Sequence, residues 1–323
     1  MEKLEAQSLS ALLQVEFPPQ KWLVDKIIPD GGLVLMSAAP ASFKTWIALE
    51  LCLCIADKRP LFDEFQTTSC GVLVADEESG ERMLQDRFKK LGAKIAEKPW
   101  EEKPIFYLSR IGRQIDDDYI KELIDECEKN LIKMVIFDSL VRFHSAREND
   151  AGEMSKILNL FKVLNDNGIT VLVLHHNRKG TGEASEMVRG SSDILAACDV
   201  HLSIARRERR VTITQTKNRY MEELKPFTVK LEQDGNRSSF SFIGYEDDKE
   251  SQLLKLKQSI IKQVADTPGI NKSQLIGLIS ESTEGMSLNR ITKVITELID
   301  NDTIRAEQGA KNSLRLFIAE QEE

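Results

Sequence analysis

Five short apolar runs punctuate the chain up to residue 174: Leu33 to Met36, Gly71 to Ala75, Ile105 to Ser109, Lys133 to Asp138 and Thr170 to Leu174. Each is too short for a helix and shows little of the in–out alternation of a half-solvated strand, the pattern of strands buried on both faces of a parallel sheet. Between them the apolar spacing is helical. Trp46 to Ala56 is apolar nearly all round, and 80–91 puts Met83, Leu84, Phe88 and Leu91 on one face. Asp117 to Lys129 and Ala151 to Asn165 are amphipathic. Strands alternating with helices predict an α/β fold whose mostly parallel sheet is covered on both faces. From Val200 to Phe242 strand-like alternation takes over, which predicts an antiparallel extension.

An N-terminal arm, about residues 1–30, precedes this pattern. Its 8–14 stretch has the spacing of a short amphipathic helix, and Phe17-Pro18-Pro19 with Trp22 forms a stiff apolar lead. At the other end, Glu246 to Glu250 (EDDKE) is a charged linker. It divides the chain into a domain of residues 1–245 and a small one of 246–323. The second shows helical patterns at 251–265, 271–279 and 287–300, then strands near 303–307 and 313–318. Three helices and a two-stranded ribbon predict a winged helix-turn-helix.

Composition narrows the class without naming the chemistry. Hydrophobic residues make up 41% and charged residues 30% of the 323, as in a globular chain with ample core. No apolar run approaches the roughly 20 residues needed to span a bilayer, so no membrane partner is expected. Five cysteines without a CxxC pair and no apolar leader at the N-terminus predict a reducing, cytoplasmic setting. A net charge of −8 does not support nucleic-acid binding through overall charge, so any such contact needs a local basic patch.

The candidate chemistry centres on residues 31–45, GGLVLMSAAPASFKT. An apolar strand, a tight loop of small residues, Lys44-Thr45 and a helix make the layout of a phosphate-binding loop. In that layout Ala39, Pro40, Ala41, Ser42, Phe43, Lys44, Thr45 and Trp46 surround the phosphates. Lys44 reaches the β- and γ-phosphates, and the Thr45 hydroxyl ligates Mg²⁺. The two motif glycines are replaced, by Ala38 and Phe43. Phe43 is the serious departure, because glycine before the lysine lets the backbone pass close to phosphate. Lys44 itself is expected to be an exposed loop residue. Other strand ends carry matching groups: Glu77 after the second run, Asp138 ending the fourth, and His175-His176 after the fifth. Ligands of open parallel sheets bind beyond the carboxyl ends of the strands, so these groups are expected to converge. Asp138 is placed to hold Mg²⁺ through water, and Glu77 to polarise the attacking water.

In order, KTWIALELCLCIA, DEES, VIFDSL, LVLHHNRKG, RGSSDILAACD and TKNRY resemble the RecA-like AAA family that includes the plasmid RepA hexameric helicases. DnaB-type replicative helicases and RecA are broader relatives. The resemblance covers roughly residues 15–243. It implies a RecA-like core that hydrolyses ATP with Mg²⁺ between neighbouring subunits of a homo-oligomeric, hexameric ring. It makes Lys44 and Thr45 the loop lysine and metal hydroxyl, Glu77 the catalytic acid, and Asp138 the second metal-site acid. His176 becomes the γ-phosphate sensor, with His175 its close competitor. Lys217 and Arg219 match the K-x-R pair that enters the neighbour's site as an arginine finger. The 177–191 loop lies where relatives contact DNA, and Arg178, Lys179 and Arg189 would meet phosphates there. The basic run Arg206 to Arg210 reads first as a solvated hairpin tip, and second as a nucleic-acid or subunit contact.

The expected function is an ATP-dependent motor on single-stranded DNA or RNA, a RepA-like replicative helicase of a plasmid, phage or mobile element. The alternatives are a RecA-like regulatory or recombination ATPase that does not unwind, and a non-hydrolysing P-loop adaptor. The C-terminal domain, with balanced charge, is expected to bind either DNA or a replication or other protein partner.

Overall fold

The computed structural model describes residues 6–92, 99–146, 148, 150–177, 188, 192–246, 249–282, 287–309 and 313–319. The chain forms two compact units, residues 1–246 and 247–323. The first unit opens with a short helix α1 (Leu9–Leu12) and the hairpin β1 (Trp22–Val24) and β2 (Ile28–Pro29). Then follow β3 (Leu33–Ala38), α2 (Lys44–Asp57), β4 (Gly71–Asp76), α3 (Glu81–Gly92), β5 (Ile105–Ser109) and α4 (Asp117–Lys129). The unit continues with β6 (Ile132–Asp138), α5 (Ala151–Asp166), β7 (Thr170–His176), α6 (Ser192–Ala197) and β8 (Val200–Arg207). It ends with β9 (Arg210–Asn218), β10 (Phe227–Asp234) and β11 (Arg237–Tyr245).

One nine-stranded sheet runs β11-β10-β9-β8-β3-β7-β6-β4-β5. The strands from β8 to β5 pair in parallel. The others pair antiparallel. β8 therefore belongs to the parallel set rather than to the antiparallel extension that the sequence suggested. It follows a crossover through α6 and pairs directly with β3, Val34 opposite Val200 and Ala38 opposite Ile204.

Both faces of the central strands are apolar. Val34, Met36, Val74, Ile136 and Leu172 pack with α2 on one side. Leu33, Leu35, Leu73, Val135 and Val171 pack with α4 and α5 residues on the other. This is why these strands read as continuous apolar runs. It also makes their carboxyl ends converge at one edge. Register places Ala38 beside His176 and Asp76 beside Asp138.

The second unit contains α7 (Lys249–Asp266), β12 (Ile270–Asn271), α8 (Lys272–Ser282), α9 (Leu288–Asp300), β13 (Ile304–Gln308) and β14 (Leu314–Ile318). Its sheet has three strands, in the order β12-β14-β13, rather than the expected two. β12 is two residues long, too brief to give a period in the sequence. The linker also shortens, because α7 already starts at Lys249. Ile291, Val294, Ile295 and Leu298 of α9 are buried against Leu256, Ile260 and Leu275. Among the described residues no helix is long and apolar enough to cross a membrane.

Candidate active site

The loop 39–43 joins β3 to α2, and two of its residues, Ala41 (φ 60°) and Phe43 (φ 67°), take the left-handed conformation. Those are positions a glycine would occupy without strain. The loop thus bends as a phosphate-binding loop should although neither residue is glycine. Phe43 precedes the first helical residue and gives α2 no side-chain cap. An anion at the helix N-terminus would satisfy the uncapped amides and meet the positive end of the dipole. Ser42 Oγ donates to Ala39 O at 2.5 Å, which folds the loop back on itself.

Lys44 is not the exposed loop lysine that the sequence suggested; it is 6% exposed. Its Nζ donates to His175 O at 3.2 Å and lies 3.5 Å from His176 Nδ1. Burial lowers its pKa, and the nearby charges of Asp138 and Glu78 act against that shift. Thr45 Oγ1 donates to Asp138 Oδ2 at 2.7 Å. Asp138 is buried, and burial raises its pKa against the Thr45 hydrogen bond and the Lys44 charge. Its Oδ1 is buried with no hydrogen-bond partner among the described residues. A hydroxyl beside a buried carboxylate with a free oxygen is a donor set that suits a hard cation. The residues therefore fit Mg²⁺, held by Thr45 and Asp138.

The acid at the end of β4 differs from the expected one. Glu77 faces away from the loop, its carboxylate accepting from the backbone amides of Ile111 at 2.7 Å and Gly112 at 3.2 Å. Glu78 faces the cleft instead. Its Oε2 accepts from Ser139 Oγ at 2.9 Å and lies 3.6 Å from His176 Nε2. His176, with help from Ser139 and Lys44, holds the Glu78 carboxyl well below its usual range, at about 2. The turn that produces this inversion is built by Asp76. Its Oδ1 accepts from the amides of Glu78 and Ser79, and its Oδ2 from that of Gly80. Arg110 locks the same turn by donating to the carbonyls of Glu78 and Ser79. Sequence reasoning had no signal for choosing between adjacent acids.

The cleft, about 280 Å³, is lined by Ala39, Ala41 to Trp46, Glu78, His176 and two arginines, Arg87 and Arg206. Arg87 gives no signal in the sequence, and Arg206 reads there as part of a hairpin tip or of a nucleic-acid or subunit contact, not as a residue of this cleft. Arg87 rises from α3, donating to Ser79 Oγ at 2.8 Å, with its guanidinium 6.0 Å from the Trp46 ring centroid. A larger groove of about 570 Å³, between α3 and β5, contains none of the strand-end groups. The chemistry therefore assigns the site to the smaller cleft. Pro40 lies on the other side of the loop, facing Asn177 and Ser203. His175 is buried, 3.9 Å from Glu148, so His176 is the histidine that reaches the cleft.

Lys217 and Arg219 lie at the opposite edge of the sheet. Val200 of β8 pairs with both Val34 and Asn218, which puts the end of β9 level with the start of β3, one strand away. The length of β3 separates this edge from the loop by roughly 17 Å. Lys217 Nζ donates to Leu195 O and Ala196 O at 2.8 Å. Arg219 donates to Ala196 O at 2.6 Å and to Asp199 at 3.1 Å, and its side chain is 49% exposed. Both cations close the C-terminal end of α6, where helix carbonyls and dipole favour them. Within one chain they do not meet Lys44. Arg178, Lys179 and Arg189 lie outside the described residues.

Beneath the loop, buried His201 bridges Ser37 Oγ at 2.8 Å and Thr216 Oγ1 at 2.5 Å. Burial depresses its pKa to about 4, against roughly 6.5 in an unfolded chain. Between those values the unfolded state binds more protons, so stability falls as pH drops from about 6.5 to 4. The loss amounts to at most about 3 kcal/mol. His201→Gln is expected to flatten that part of a urea-midpoint-against-pH curve. A slope equal to the parent's would assign the acid sensitivity to another group.

No curated protein matches the chain. A family model described as an AAA domain matches residues 2–182, more than half of the 323 residues. That span holds the loop, Lys44, Thr45, Glu78, Asp138 and His176, so the chain belongs to the AAA domain family of P-loop ATPases.

Proposed function

We propose that this chain hydrolyses ATP to drive movement along single-stranded nucleic acid, as a RepA-like replicative DNA helicase acting as a ring. The observation that carries the reading is the Thr45–Asp138 contact of 2.7 Å beside buried Lys44, with Glu78 across the same cleft. Mg²⁺ on Thr45 and Asp138 would neutralise phosphate charge. Lys44 would hold the phosphates against its own desolvation, since their charge restores the protonated form that burial disfavours. Glu78 would orient the attacking water and accept its proton, while Ser139 and His176 hold the carboxylate in place through Oε2. The catalytic role proposed for Glu77 passes to Glu78, because Glu77 is committed to the 111–112 amides.

The remaining parts of the reading concern partners. Arg219, half exposed and on the far edge from its own Lys44, would serve the cleft of a neighbouring copy in a hexameric ring. Arg178, Lys179 and Arg189 would track the phosphates of single-stranded DNA. The second unit has three helices and an antiparallel sheet, with α9 preceding the β13–β14 hairpin, which supports the winged-helix reading. Such a domain would dock DNA or a replication protein.

The test is ATP turnover by the purified chain with and without single-stranded DNA, followed by strand displacement. Stimulated turnover with displacement supports the helicase. Stimulated turnover without displacement leaves the non-unwinding ATPase, and no turnover leaves the adaptor. Changing Arg178, Lys179 and Arg189 together to Ala should lower the log–log salt slope of DNA binding by about 2, at roughly 0.7 per single-strand phosphate contact. An unchanged slope would move the DNA contact elsewhere.

A further inference from the structure

Phe43 occupies the place of the loop glycine, with a backbone φ of 67° that costs a side-chain-bearing residue free energy. Its ring packs edge-on to Phe240, centroids 6.4 Å apart. On its open side lies the guanidinium of Arg206, with Cζ 3.8 Å from the ring centroid. The same guanidinium donates through Nη1 to Ala41 O at 2.7 Å, and Ala41 is the other loop residue with positive φ. Arg206 Nε donates to Glu208 O at 2.7 Å, which ties the group to the tip of the β8–β9 hairpin. One exposed arginine, 165 positions from Ala41 in sequence, thus touches both left-handed residues of the loop.

We propose that Arg206 is a positioning residue for the phosphate-binding loop. It clamps Ala41 and Phe43 in the left-handed conformation, so the loop amides are set for phosphate before nucleotide arrives. A glycine would adopt that conformation unaided. Phenylalanine would not, and the aromatic–guanidinium stack with a charge-assisted hydrogen bond supplies the missing preference. Preorganisation of this kind strengthens binding by removing an ordering cost. The inference rests on the nucleotide reading of the Lys44 cleft.

The experiment measures Mg²⁺-ADP affinity by titration calorimetry on the full chain, with melting temperature as the fold control. Arg206→Ala should weaken binding about tenfold, a size typical of one stack and one charged hydrogen bond. The melting temperature should stay near the parent's, because the side chain is exposed. Arg206→Lys keeps charge without the planar stack and should fall between the two. In a Phe43→Gly background the clamp is redundant, so adding Arg206→Ala should change affinity by less than about twofold. Unchanged affinity in Arg206→Ala overturns the clamp. An equal loss in both backgrounds also overturns it, because Arg206 would then act without Phe43. Binding by the unaltered chain that Lys44→Ala leaves intact overturns the nucleotide reading itself, and the clamp with it.

Discussion

Arg219→Ala is expected to lower ATP turnover roughly 10³–10⁵-fold while nucleotide binding persists, the loss typical of a missing arginine finger. The residue lies at the amino edge of β3, about 17 Å along the strand from the loop, and cannot reach the Lys44 cleft of its own chain. Its contacts with Asp199 and Ala196 O give it a structural part too. Losing them should cost about 1 kcal/mol, as for a cation at a helix C-terminus, far too little to explain such a rate loss. Arg219→Lys should rescue little, since a point charge cannot make the paired contact. Mixing decides the question. Chains carrying Arg219→Ala and chains carrying Lys44→Ala are each expected to be inactive alone. Mixed oligomers join an intact Lys44 to an intact Arg219 at some interfaces and should regain part of the activity. No recovery in demonstrably mixed oligomers would remove the role in trans, and the ring with it.

Glu78→Gln should lower turnover about 10²–10⁴-fold, the usual contribution of a positioned general base. Mg²⁺-ATP affinity should change only a few fold, because the loop, Lys44, Thr45 and Asp138 remain. Glu77→Gln should leave turnover within a few fold, since its amide oxygen can still accept from Ile111 N. The opposite ranking would return the role to Glu77. The depressed pKa of Glu78, about 2, keeps its carboxylate ionised down to that pH. Any acid limb seen above about pH 4 in the rate profile should therefore belong to another group and persist in whatever activity Glu78→Gln retains. The stability that Glu78 gains from His176 and Ser139 is present above its unfolded pKa, about 4.3. It fades as pH falls through the folded value.

Local pattern was sufficient for the central parallel strands and for half of the candidate site, but not for the pairing of β8 or for β12. The apolar runs at 33–36, 71–75, 133–138 and 170–174 mark strands because burial on both faces confines their polar residues, Lys133, Asp138 and Thr170, to the ends of the runs. A parallel sheet then brings their carboxyl ends together whatever else the chain does. Lys44, Thr45, Asp138 and His176 were legible for that reason, being strand-end or helix-start residues whose place follows from the elements. Beyond a strand end the direction of a side chain depends on contacts made elsewhere. Glu77 and Glu78 are indistinguishable in sequence, and Asp76 with Arg110 settles which of them faces the cleft. Phe43 reads as an obstacle until β8 is paired with β3, which brings Arg206 across to the loop. Arg219 stands out in the sequence through the K-x-R resemblance, but only the register of β8 and β9 sets it at the far edge from its own Lys44. The Arg110 contact, the reach of Arg206 and the place of Arg219 depend on long-range pairing in the sheet, and such pairing leaves no periodic trace in the segments that it joins.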